Sequence, residues 1–96
     1  MNGDDILLDT NAVLHLLSSN LMVKLFRKKA LSVSVITEME LLSYPLITKK
    51  EEQNIHSFLN HITIIGLTEE VKQNAIELRK KYKLKLPDAI ICSTAL

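Results

Sequence analysis

Three short apolar runs alternate with stretches of helical periodicity, and this alternation constrains the fold of the 96-residue chain more than any other feature. Ile6, Leu7 and Leu8 form a continuous apolar run ending at Asp9, the pattern of a strand buried on both faces. Leu31, Val33 and Val35 alternate with Ser32 and Ser34, a second strand of β-branched character. Ile62, Thr63, Ile64 and Ile65, closed by Gly66, form the third.

Helical patterns fill the intervals. Thr10 and Asn11 cap a helix whose face carries Val13, Leu16 and Leu17, and Ser18-Ser19-Asn20 breaks it. A further helix is expected over 21–29. Thr37 is expected to cap a helix through Tyr44, with Glu40 at its third position as in a capping box and Pro45 as its stop. Thr48 opens another, with Ile55, Phe58, Leu59 and Ile62 at i, i+3, i+4 and i+7. Thr68-Glu69-Glu70-Val71 is again a capping signature, followed by Val71, Ala75, Leu78 and Tyr82 on one face. Pro87 suits the first position of a last helix, Asp88 to Ala95. Strands alternating with helices specify an α/β domain with a parallel sheet.

Size and composition narrow the class. The chain, 1–96, holds one small domain, with no room for a second core. A content of 47% hydrophobic and 24% charged residues is that of an ordinary globular protein. No apolar run approaches the ~18 residues of a membrane span. The start, Met-Asn-Gly-Asp-Asp, is neither a secretory signal nor an Arg-rich transit peptide. A single cysteine, Cys92, cannot form an internal disulfide, so the expected location is the cytoplasm. Net charge is only +1, but cations gather in two clusters: Lys24, Arg27, Lys28 and Lys29, then Arg79, Lys80, Lys81, Lys83 and Lys85. Helix C-termini favour such cations, and so does a polyanionic ligand.

The carboxylates carry the chemistry. Asp9 stands at the C-terminal end of a buried strand, where open α/β sheets place their ligands, and is also a good helix N-cap. Asp88 opens the last helix, complementing its dipole, and shares a face with Ile91, Cys92 and Ala95 that would turn it inward. Glu40 lies between Ile36 and Tyr44 on a helical wheel, inside the apolar arc, while Glu38 is expected to face solvent. A carboxylate in an apolar arc must be paired, protonated or metal-bound. These three acids, each near the start of a helix, can meet at one edge of a parallel sheet. Oxygen-only ligands suit Mg²⁺ or Mn²⁺ rather than zinc, and such a site orients a water and stabilises charge on a phosphodiester.

Other constellations are weaker. A phosphoacceptor aspartate of the HAD phosphatase kind needs a second acid two residues after Asp9, where Asn11 stands; Asp4 and Asp5 precede the strand. His15, His56 and His61 lack ligand spacing, Cys92 falls on an apolar face with no histidine near it, and Met22 and Met39 read as core filler.

The segments ILLDTNAVLHLL at 6–17, VSVITEMELL at 33–42 and LKLPDAIICSTAL at 84–96 resemble the PIN domain, and within it the VapC-type toxins of bacterial toxin–antitoxin pairs. They occur in the family's order and cover nearly the whole chain. Asp-Thr-Asn after an apolar strand, then Ser-Val-Ile-Thr-x-x-Glu-Leu, then Leu-Pro-Asp-Ala, is a fairly specific combination. The resemblance implies a three-layer α/β/α fold and a single-strand-specific, Mg²⁺- or Mn²⁺-dependent ribonuclease. By motif position its metal-binding acids fall on Asp9, Glu40 and Asp88, with Thr10 and Asn11 supporting the site. It implies an RNA substrate, steered by the basic clusters, and a cognate antitoxin. In the family the segment matching 87–96 is followed by a further strand, a further acid or polar residue and a terminal strand. The family's strand order 3-2-1-4-5 is thus expected here as 3-2-1, with the first strand at an apolar edge that favours self-association, as a homodimer or otherwise. Two functions follow: a working metal-dependent endoribonuclease, or a degenerate, catalytically inactive domain serving as a dimerisation or binding module.

Overall fold

The computed structural model describes residues 5–19 and 30–96. The helix expected over 21–29, the cluster Lys24, Arg27, Lys28 and Lys29, and the residues Asp4 and Met22 lie outside the described residues. Among the described residues, three strands, β1 (Asp5–Leu8), β2 (Ala30–Ser34) and β3 (Thr63–Ile65), form one parallel sheet in the order β1-β2-β3. This is the expected 3-2-1 arrangement, with β2 central. Leu8 pairs with Val33, and Ser34 with Ile65, so the strands end in step. Among the described residues, five helices accompany them: α1 (Thr10–Leu17), α2 (Val35–Leu42), α3 (Lys49–Leu59), α4 (Glu69–Tyr82) and α5 (Leu86–Thr94). None is long and apolar enough to cross a membrane.

The central strand departs from its sequence pattern. Leu31 through Ser34 are all buried, the two serines included. Burying a hydroxyl is tolerable only with a partner. Ser32 donates to the Ile6 carbonyl at 3.3 Å, and Ser34 accepts from the Ile36 N–H at 3.1 Å. That second bond makes Ser34 the N-cap of α2, so Val35 is helical rather than extended. Thr37 is therefore the third residue of α2, fully buried, and Glu40 is its sixth. The capping box expected from Thr37 and Glu40 does not form, because the strand ends earlier than the alternation suggests. The helix also closes early, on Ser43 rather than at Pro45.

Elsewhere local signals hold. Thr48 and Glu51 make a reciprocal capping box at α3, and Thr68 caps α4. Asp9 rather than Thr10 or Asn11 caps α1, and Pro87 is the second residue of α5, after Leu86. Two cores result. The larger joins Leu8, Val13, Leu16, Leu31, Val33 and Leu41 to Ile55, Phe58 and Leu59 of α3. The smaller holds Ala75, Ala89 and Ile90, with Ile36, Val71 and Leu84 against it. Helix α2 contributes to both, through Leu41 and Ile36. Tyr82 and Met39, expected in apolar faces, are each 58% exposed, and Cys92 is exposed as well.

Candidate functional site

An open cleft of about 600 Å³ lies at the carboxyl ends of β1 and β2, between the start of α1, the face of α2 and the start of α5. Asp9, Glu40 and Asp88 all line it, together with Thr10, Asn11 and Pro87. Each acid arrives for a local reason. Asp9 follows β1 directly and caps α1, its Oδ1 accepting from the Ala12 N–H at 2.8 Å. Glu40 stands on α2, whose start is fixed by the end of β2. Asp88 stands in the first turn of α5, where a carboxylate meets the positive end of the helix dipole.

The three carboxylates are exposed. Glu40 and Asp88 thus differ from the sequence reading, which turned both toward apolar surroundings. Glu40 faces the open cleft, and Glu38, expected in solvent, is half-buried. Ile36 and Tyr44, which flank Glu40 on the helical wheel, line the open cleft with it.

A pair of hydroxyls ties Glu40 to the interior. Thr10 Oγ1 lies 2.6 Å from Glu40 Oε1 and 3.3 Å from Thr37 Oγ1. One hydroxyl proton cannot serve both, and the short contact to a carboxylate takes it. The Thr37 hydroxyl then donates in the longer contact. Thr37 is fully buried, so it anchors Thr10, and Thr10 anchors Glu40. Sequence reasoning assigned Thr37 to a cap and missed this role; a threonine three residues before Glu40, on the same helix face, is the signal that was available. The aliphatic and aromatic walls of the cleft, Ile36, Met39, Tyr44 and Ile91, were not foreseen as site residues either.

Hard, oxygen-only donors are the chemistry that holds a divalent cation such as Mg²⁺. Neither Cys92 nor any histidine lines the cleft. Among the described residues, no three acids, histidines or cysteines are gathered closely enough to hold an ion by themselves. Oxygen donors of this kind suit a cation that keeps part of its water shell. Asp9 Oδ2 and Glu40 Oε2 have no hydrogen bond among the described residues.

Comparisons with known proteins agree on the architecture. A family model described as the PIN domain matches residues 6–96. A chain from a toxin–antitoxin complex of Klebsiella pneumoniae is similar at 34% identity and a TM-score of 0.76, over 93% of this chain and 76% of its own. A chain from VapBC2 of Rickettsia felis, bound to a DNA fragment from its promoter, is similar in fold, with a TM-score of 0.75 and 24% identity. That match covers 95% of this chain and 79% of the other. No curated protein matches.

Proposed function

The chain belongs to the PIN domain family, and from that premise we propose that it is a VapC-type toxin: a metal-dependent endoribonuclease acting on single-stranded RNA in the cytoplasm. The observation that carries the reading is the convergence of Asp9, Glu40 and Asp88, from distant parts of the chain, on one cleft.

A cleft lined by three carboxylates repels a phosphodiester, so its acids alone make a poor RNA site. A bound Mg²⁺ or Mn²⁺ would reverse that repulsion, lower the pKa of a water and neutralise charge developing on the phosphate. Asp9, Glu40 and Asp88 are the residues that would hold it. The Ala12 N–H fixes one oxygen of Asp9, and the Thr10 hydroxyl fixes one oxygen of Glu40, which leaves the second oxygen of each for the ion. Asn11, exposed beside them, offers an amide to the cleft. Ile36 and Ile91 give the cleft apolar walls against which a base can rest.

Two neighbours of this chain come from toxin–antitoxin assemblies, and the same reading gives this chain a cognate antitoxin. It also gives the chain a second copy of itself as partner, with β1 pairing only with β2 among the described residues and so presenting an edge. A monodisperse monomer across a sedimentation concentration series would overturn self-association.

The test of the activity is a Mn²⁺ or Mg²⁺ titration by calorimetry on wild type and Asp9→Asn, with RNA cleavage followed in parallel. Saturable binding lost in the variant, with metal-dependent cleavage, is the expected result. A folded wild type that binds no metal and cleaves no RNA would instead identify an inactive interaction module.

A further inference from the structure

A second groove, of about 520 Å³, lies between the end of α4 and the start of α5. Its lining is Ile76, Arg79, Lys80, Lys83, Leu84 and Leu86: three cations around an aliphatic floor. We infer that this groove is a single-stranded RNA subsite, holding the phosphates of the strand that enters the carboxylate cleft. The inference rests on the ribonuclease reading and extends it to the residues that grip substrate.

Charge is the first support. Residues 77–85 carry five cations against the single acid Glu77, a net of +4. The rest of a chain whose total is +1 therefore sums to −3. Compensation within the cluster is slight: Lys80 reaches Glu77 at 4.0 Å with both side chains exposed, and Lys81 lies over the Tyr82 ring at 5.3 Å. Lys83 and Lys85 have no acidic partner among the described residues. Arg79 donates its Nε to the Leu84 carbonyl at 3.3 Å, which aims the guanidinium while leaving its terminal amino groups unused among the described residues.

The backbone gives the second support. Lys83 has φ 55° and ψ 36°, and among the described residues it alone of the non-glycines has positive φ. Helices commonly end in this conformation, and glycine adopts it without strain. A lysine there accepts local strain and sets a cation at the rim of the groove. Continuity is the third. Leu86 lines the groove, and its neighbours Pro87 and Asp88 line the cleft. A strand leaving the groove toward Asp88 passes from cations to the cation-dependent site. An acidic peptide on the same path would meet three carboxylates.

Because Lys83→Gly removes the charge at a position that glycine suits, it tests the groove without unfolding it. Fluorescence anisotropy of the full chain with a labelled oligouridine of about twelve nucleotides, over a salt series in EDTA, compares wild type, Lys83→Gly, Arg79→Gln and the distant control Lys49→Gln. Lys83→Gly and Arg79→Gln are each expected to weaken binding roughly three- to tenfold and to reduce the salt slope by about 0.7, with a smaller effect for the control. Wild-type binding that both groove variants retain, or lose only as the control does, overturns the groove and leaves the ribonuclease reading standing. A wild type that neither binds the oligouridine nor cleaves it with Mg²⁺ overturns both. Polyglutamate binding the wild type more tightly at equal charge, and losing that on Lys83→Gly, overturns the inference in favour of an acidic peptide.

Discussion

Thr10 is where backbone, core and site meet in a single side chain. Its hydroxyl links the buried Thr37 to Glu40, so the orientation of an exposed carboxylate is set from inside the protein. Thr10→Val keeps the shape and removes the link. The variant should lose about 1 kcal/mol of stability, because the Thr37 hydroxyl is left without its partner. Metal affinity or cleavage should fall about 10- to 100-fold, as when a ligand's supporting hydrogen bond is removed. Thr10→Ser, which retains the donor, should stay near wild type; calorimetry and thermal melts on both variants decide, and equal losses in the two would dissolve the link. At this scale Asp9 was legible because the end of an apolar run marks a sheet edge, and Asp88 because Pro87 marks a helix start. The part played by Thr37 was not, since Ser34 and Thr37 are both competent caps. The choice between them was made by the pairing of Ser34 with Ile65 across the sheet, which local sequence does not contain.

Helix α3 shows an element whose own residues decide its start. Thr48 and Glu51 cap each other across the first turn, and the hydrogen bonds from the Thr48 side chain and backbone hold the Glu51 carboxyl below the usual glutamate range. A carboxyl with a lowered folded pKa stabilises the protein while ionised. The contribution is full above the ordinary glutamate value of about 4.3 and is lost as pH falls through the lower folded pKa. Urea unfolding of wild type and Glu51→Gln should therefore differ most at neutral pH and converge in acid, with a small gap because solvent screens so exposed a group; a gap that widens on acidification would contradict the capping assignment. Glu69, held low by Lys72 and Gln73 at the start of α4, acts in the same direction and belongs to the background of both curves. Helices α3 and α4 were readable because their caps and apolar faces are local. Strand β2 was readable as a strand, but its end was not: Val35 continues the apolar alternation, yet Ser34 caps the next helix and makes Val35 helical.

The whole molecule assembles its cleft from two unequal cores. Asp9 and Glu40 are carried by elements of the larger core, whereas Asp88 rides on α5, packed with α4 around Ala75, Ala89 and Ile90. The smaller unit is pinned by the Ser93 hydroxyl donating to the Val71 carbonyl at 2.7 Å and by Ile36 of α2. That the acids can meet was readable from their places near helix starts at one edge of a parallel sheet; no spacing in the sequence says that these two units face one another across them. Since the smaller core buries little apolar surface, α4 and α5 should open at a lower free energy than β2, with faster native-state hydrogen exchange. Ala89 is fully buried at the contact, and Ala89→Leu should overpack it at a cost of about 1–3 kcal/mol. The strain should fall on the α5 side, so that amides of α5 lose protection while those of β2 keep theirs. Metal binding should then weaken, as is expected of Asp88→Asn, although every carboxylate is still present in the chain. If β2 and α5 lose protection together, the two cores unfold as one, and the third acid is held as firmly as the other two.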